Sequence, residues 1–366
     1  MELSDLLIDP EIARAETPPG WLYTSEEVFE RVRARVLPRA WQLAGEGSLP
    51  GPGEVEPFEL FPGALSEPLL LARDAEGALR CLSNVCTHRA NLLIEARCAG
   101  QGLRCRYHGR RFDLAGRFRS MPEFEGAEGF PRPEDDLPEL PLETLGPLAF
   151  TGLAPRPGSL AAWLGALGAR LGFFPWEELR PDPAAARSFE VAASWALYLD
   201  NYLEGFHIPF VHPSLNQALD YSGYRTEPLE HGVLQLGVAR PDEPAFELPA
   251  GHPDQGLRVG AYYAWLFPTT MLNLYPWGLS LNVIEPLGPT RTRVRFLPYV
   301  ARPELRERGA GAGLDQVELE DEAVVEAVQR GVRARLYRRG RYSPSREQGV
   351  HRFHRLLLAA LREPDA

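Results

Sequence analysis

Between Thr24 and Pro38 the apolar residues Val28, Phe29, Val32 and Val36 return at helical spacing. Thr24, with Glu27 three residues on, makes a capping box and Pro38 stops the run, so the pattern predicts a helix over 24–37. From about Ala40 to Thr151 the texture changes to short apolar runs punctuated by turns. LLLARD-AEG-ALRCLSN predicts one hairpin, and RFDLAGRFRSM a second that turns at Ala115 and Gly116. Six prolines between 120 and 147 leave that stretch few places for regular structure. From about Gly152 longer strands appear, RVGAYYAWLF, MLNLYPW, LSLNVIEPL and TRVRFLPYV, each bounded by Pro, Gly, Asn or Thr. Strands in succession with short turns predict an antiparallel sheet. Helices follow over 314–337 and 345–362. The expected fold is α+β: a helical segment at 1–39 packed on the last part, an all-β domain at 40–151, and antiparallel sheet with helices at 152–366.

Composition narrows the function. With 44% hydrophobic and 24% charged residues, the 366-residue chain has the balance of a globular protein. No apolar run approaches the ~20 residues of a membrane span, and the acidic N-terminus lacks the pattern of a secretory signal. A cytoplasmic protein with no membrane partner is expected. The net charge of -11 argues against a nucleic-acid partner, because phosphate binding needs clustered positive charge. All 39 basic residues are arginine, so Schiff-base lysine chemistry is excluded. Codon bias in a GC-rich genome accounts for the missing lysine.

Four cysteines, 81, 86, 98 and 105, fall within 25 residues, which in a cytosolic chain suggests metal before disulfide. Cys86-x-His88 and Cys105-x-x-His108 stand sixteen residues apart, each in a turn, so two loop tips can grip one metal group. Thiolates are soft ligands that suit iron-sulfur iron. Two imidazoles in place of two thiolates lower the negative charge of a cluster and ease its reduction. Structural zinc is the alternative, since two cysteines and two histidines also satisfy tetrahedral zinc. Cys81 and Cys98 lack a matching histidine and read as small buried residues.

A second constellation lies in WALYLDNYLEGFHIPFVHPSL. On one helix Asp200, Glu204 and His207 share a face, whereas His212 would point about 140° away. Pro209 interrupts the ladder between the histidines, so the second imidazole can be re-aimed. Two neutral histidines and one carboxylate on one side of iron(II) leave positions open for oxygen and substrate. The carboxylate is sought in LDQVELEDEAVVEAVQRGV. There Leu314, Val317, Val324, Val325, Val328 and Val332 share a helical face with Asp321 in its middle. An unpaired carboxylate on an apolar stripe is costly, which makes Asp321 the natural third ligand. Glu318, nearer the edge, is the runner-up. Asp315, Glu320, Glu322 and Glu326 fall off the face and read as solvated charges. Aromatic residues also crowd this half: Trp195, Tyr198, Tyr202, Phe206, Phe210, Tyr262, Tyr263, Trp265, Tyr275 and Trp277. They suit either a hydrophobic core or a cage for a quaternary ammonium.

CTHRANLL and CRYHGRRFDLAGRF resemble the cluster-binding loops of Rieske non-haem iron oxygenases, with Arg106 and Arg110 where Pro and Trp are frequent. DNYLEGFHIPFVH resembles the iron-binding helix of that family, and EDEAVVEAVQRG the helix that supplies its aspartate. Glu204 where Asp is usual, and RYSPSREQGVHRFHRLL, are similar to the choline, glycine betaine and carnitine branch. The resemblance implies a terminal oxygenase subunit with a 2Fe-2S cluster on Cys86, His88, Cys105 and His108. It implies a mononuclear Fe(II) on His207, His212 and Asp321, in a catalytic domain of helix-grip type. It also implies a homotrimer fed from NAD(P)H through a separate reductase, with or without a ferredoxin. Electrons would pass by His108 and Glu204 to the iron, where O2 hydroxylates or dealkylates a small organic substrate, a quaternary amine or an aromatic. Glu204, Asp200 and Asn201 are the candidate catalytic residues. A Rieske electron-transfer or redox-sensing protein would instead hold two irons per chain, not three, and a zinc-stabilised binding module would be colourless.

Overall fold

The computed structural model describes residues 3, 6–45, 47–153 and 158–364. Two compact units emerge, Trp41–Leu160 and a second built from Met1–Ala40 with Ala161–Ala366.

The unit Trp41–Leu160 is all β. Its largest sheet is antiparallel, in the order Cys98–Ala99, Glu54–Leu60, Glu67–Arg73, Leu79–Ser83, Glu139–Leu140. Glu67–Arg73 with Leu79–Ser83 is the first expected hairpin, and Arg111–Phe112 with Phe118–Ser120 the second. Gly116 turns the second with φ +78°, a conformation that costs glycine little. Leu70, Leu82, Leu103 and Phe112 form a core that Cys86 and Cys105 join. The expectation for Cys98 fails: it is exposed on a two-residue edge strand, while Cys81 is buried.

The other unit is built on an eight-stranded antiparallel sheet. From one edge the order is Arg180–Pro181, Arg291–Val300, Gly278–Gly288, Thr270–Tyr275, Val259–Leu266, Gly232–Val238, Arg225–Pro228, with Arg187–Val191 also paired to Arg291–Val300. Every residue of Val259–Leu266 and Thr270–Tyr275 is buried, which explains their unbroken apolar texture. Helices α1 (Trp195–Tyr202), α2 (Ile208–Val211), α3 (Pro213–Ala218), α4 (Leu314–Gly331) and α5 (Gln348–Arg362) accompany this sheet. Among the described residues no helix is long and apolar enough to cross a membrane.

Four local expectations need correction. The first helix is capped by Ser25, whose side chain accepts from Val28 N, and is α-helical only over Glu26–Arg31. A widened π turn follows over Val32–Val36, because Pro38 offers no N–H to Ala34 and its ring presses on that carbonyl. Helix α4 stops at Gly331 and not at 337, where the bare Cα of Gly20 lies against the Val332 carbonyl. Its buried face carries Glu318, Val325 and Gln329, while Val328 is exposed. Polar anchors set this rotation: Gln329 Oε1 accepts from Ser194 N at 2.7 Å, and Glu326 Oε1 from Ala192 N at 2.9 Å. Finally, Asp200, Glu204 and His207 do not share one helix. Helix α1 ends at Tyr202, and Gly205 turns the chain with its Cα against the Tyr224 ring, where a Cβ would come within 2.5 Å.

Candidate active site

His207 caps α2, and His212 sits at the junction of α2 and α3. Pro209 is the second residue of the short helix between them, so the proline belongs to a fresh first turn and breaks no longer helix. Glu204, in the turn before, makes three contacts with this segment. Its Oε2 accepts from Phe206 N and from His207 N, and its Oε1 lies 2.7 Å from His207 Nδ1. The expected Glu204–His207 bond is therefore present, delivered by a turn and not by a helical face. His212 Nδ1 lies 2.7 Å from Glu320 Oε2, so Glu320 is not a solvated charge but the partner of a histidine. With both Nδ1 atoms held by carboxylates, both Nε2 atoms are left to face Asp321. His212 Nε2 stands 3.0 Å and His207 Nε2 3.6 Å from Asp321 Oδ1, to which Asn201 Nδ2 also donates at 3.0 Å. One ligand atom from each of His207, His212 and Asp321 lies within 4.8 Å of the others. Burial works against charge on His212, yet Asp321 and Glu320 hold it above its ordinary value.

Asp200 does not join this group. Its carboxylate accepts from Tyr23 OH at 2.8 Å and lies 2.9 Å from His354 Nε2, while Tyr342 OH is 2.7 Å from His354 Nδ1.

Beside the three ligand atoms opens a cavity of about 100 Å³. Its floor is one face of the sheet, laid out in two rows across the strands. Tyr263, Asn273 and Ser280 pair in register, as do Met271, Asn282 and Phe296, and all six line the cavity. Tyr198 and Tyr202 come from α1, Val317, Glu318 and Asp321 from α4, and Tyr224 and Tyr275 complete the walls. Of the aromatic residues singled out from sequence, Tyr198, Tyr202, Tyr263 and Tyr275 reach the cavity, and Trp195, Tyr262, Trp265 and Trp277 are core. Phe206 and Phe210 are exposed. Tyr224 and Phe296 carried no local signal, since only long-range pairing brings them here. Glu318 accepts from Tyr198 OH at 2.6 Å, and burial pushes its carboxyl up to about 8.

In the other unit Cys86 and Cys105 are buried at neighbouring loop tips, and the His88 and His108 ring centroids lie 4.8 Å apart. Each cysteine closes a tight turn, Ala90 N donating to Cys86 O and Gly109 N to Cys105 O. His108 Nδ1 is buried with no partner among the described residues, as expected of an atom reserved for a metal. Two thiols, two imidazoles and that orphaned nitrogen fit a 2Fe-2S cluster. Arg110, where Trp is frequent, is 2% exposed and packs among the rings of Phe112, Phe118 and Phe130, with Nη2 2.8 Å from Asp135 Oδ1. A guanidinium fills an aromatic slot there because rings and carboxylate share its two faces and its edge.

The sequence profile of the Rieske 2Fe-2S domain matches residues 44–131, and that of the ring hydroxylating alpha subunit (catalytic domain) matches residues 180–363. The chain belongs to the ring-hydroxylating alpha-subunit family. A choline monooxygenase (chloroplastic) of Arabidopsis thaliana is 30% identical over 95% of this chain and 84% of its own length. The carnitine monooxygenase oxygenase subunit of Escherichia coli is 27% identical over 95% of both chains. The crystal structure of the quaternary ammonium Rieske monooxygenase CntA, 23% identical, shares the fold over 97% of both chains with a TM-score of 0.79. This ring-hydroxylating alpha subunit is thus the terminal oxygenase of a Rieske system, an oxidoreductase whose cofactors are a 2Fe-2S cluster and a mononuclear iron. It acts on a small molecule.

Proposed function

We propose that this oxygenase oxidises a small quaternary amine at an iron held by His207, His212 and Asp321. The observation that carries the reading is the convergence of those three ligand atoms at a small, tyrosine-walled cavity. Tyrosine faces suit a quaternary ammonium, and the choline and carnitine monooxygenases are named for such substrates. When bound, the iron supplies the redox chemistry that places an oxygen atom from O2 on carbon, with hydroxylation next to nitrogen leading to dealkylation. Glu204 and Glu320 fix the imidazole tautomers, Asn201 orients the Asp321 carboxylate, and the tyrosines exclude water. Asp200 supports the fold beside Tyr23 and His354 rather than the chemistry.

In this reading Cys86, His88, Cys105 and His108 hold the cluster, and the protein is a homotrimer in which His108 of one copy meets Glu204 of the next. Exposed aromatics support such an interface: Phe206 and Phe210 follow Glu204 closely in the chain, and Tyr107 stacks on His108 at 3.7 Å. Electrons would come from NAD(P)H through a separate reductase, with or without a ferredoxin. A reducing cytoplasm suits the thiolates. Asp321→Ala tests the site. It should abolish turnover and the mononuclear iron while leaving the cluster's two irons and its reduced-state EPR signal. Full activity in that variant would move the third ligand to Glu318 or Asp315 and sink the assignment.

A further inference from the structure

The cavity contains three carboxylates, and they are not equivalent. Glu204 is committed to His207, and Asp321 to both imidazoles and Asn201. Glu318 has no such commitment. Its Oε2 accepts from Tyr198, but its Oε1 is buried with no partner among the described residues, in a side chain 3% exposed that lines the cavity. An acidic oxygen left bare inside a protein is costly unless something completes it. No arginine lines the cavity among the described residues, although the chain has 39 arginines. The rings around it present themselves at several angles: Tyr224 and Tyr263 lie 6.4 Å apart at 26°, Tyr263 and Tyr275 6.0 Å apart at 81°. Such walls offer π-faces to a cation from more than one side.

We propose that Glu318 is the specificity-determining anion of this cavity, and that it selects a small permanent cation carrying no carboxylate of its own. This rests on the reading that the cavity holds the substrate. A trimethylammonium group beside the Glu318 carboxyl would supply the counter-charge that lets it release to solvent the proton it keeps in the empty cavity, while its methyl groups pack on the tyrosines. A zwitterion of the betaine or carnitine kind would bring a fourth carboxylate into a space where, among the described residues, no arginine receives it, so the site disfavours it by repulsion.

The test compares three probes on the purified holoenzyme by anaerobic titration calorimetry: choline, its uncharged analogue with carbon in place of nitrogen, and glycine betaine. The wild type should prefer choline over the uncharged analogue by roughly ten- to hundredfold, the size of one charge-assisted contact. Glu318→Gln, which keeps the volume and the acceptor for Tyr198, should bring that ratio down to the few-fold left by the rings. Glu318→Asp should restore part of it. A ratio unchanged in both variants overturns the role of Glu318 while leaving the amine oxygenase intact. Glycine betaine bound as tightly as choline overturns the exclusion of carboxylates. If neither choline nor glycine betaine binds the wild type and the uncharged analogue does, the quaternary-amine reading itself falls, and Glu318 with it.

Discussion

Replacing Glu318 by Gln should stabilise the metal-free protein at neutral pH, and the gain should vanish in acid. Burial pushes this carboxyl from an ordinary 4.5 up to about 8, with Asp321 and Glu322 of its own helix adding repulsion and the bond from Tyr198 on α1 opposing it. The folded chain then keeps a proton that the unfolded chain releases, so stability falls as the pH climbs from 4.5 towards 8. At about 1.4 kcal/mol per unit, the penalty at pH 7 is about 3 kcal/mol. Gln keeps the size and the acceptor for Tyr198 but does not titrate. In a unit of this size 3 kcal/mol is worth roughly 6–12 °C in Tm. Thermal unfolding of both chelated proteins from pH 5 to pH 8 provides the assay. The two Tm curves should nearly meet at the acid end and separate steadily above it. Parallel curves would mean that Glu318 is ionised in the empty cavity, and the argument from burial would fail.

Glu204→Gln should leave both metals bound and the cluster reducible, yet slow single-turnover electron transfer to the iron by orders of magnitude; a wild-type rate would refute the bridge. Arg110→Ala should cost about 3 kcal/mol, since it strands Asp135 beside the cluster loops, and loss of visible absorption on heating reads this out. Gly349→Ala should misplace Glu204 indirectly. A Cβ there would come within 2.2 Å of the Leu203 carbonyl, so α5 must back away from the turn that carries Glu204. Weaker iron retention with an unperturbed cluster spectrum is the expected signature, and unchanged iron retention would count against it.

Much of the site was legible because its chemistry is rare in sequence. Two Cys-His pairs at loop tips, two histidines behind acids, and an aspartate in an apolar helix leave few readings, and the strand pattern located the sheet that floors the cavity. Periodicity failed where rotation mattered. It relates positions on α4 to one another but does not say which face turns inward, so Glu320 passed for a solvated charge and Val328 for core. The bonds that decide the rotation, from Ser194 and Ala192 to Gln329 and Glu326, join residues more than a hundred positions apart. The turn at Gly205 was missed for a similar reason. A glycine within a helical pattern looks tolerable until Tyr224, brought in by the sheet, is seen to occupy the space of its missing side chain.

Helix α4 presents Glu320 to one imidazole and Asp321 to both, from adjacent positions. If these residues hold the iron as proposed, the order in which a newly made chain acquires its metals follows from its order of synthesis. The residues proposed to hold the cluster, 86–108, leave the ribosome early and belong to a unit that closes by residue 160. On the proposed assignment iron would wait for a helix that begins at Leu314, since until then His207 and His212 have neither the Asp321 carboxylate nor the Glu320 carboxylate beside the His212 ring. If the iron is held as proposed, a chain cut short before α4 would be brown and inert, and capture of iron would mark the arrival of α4.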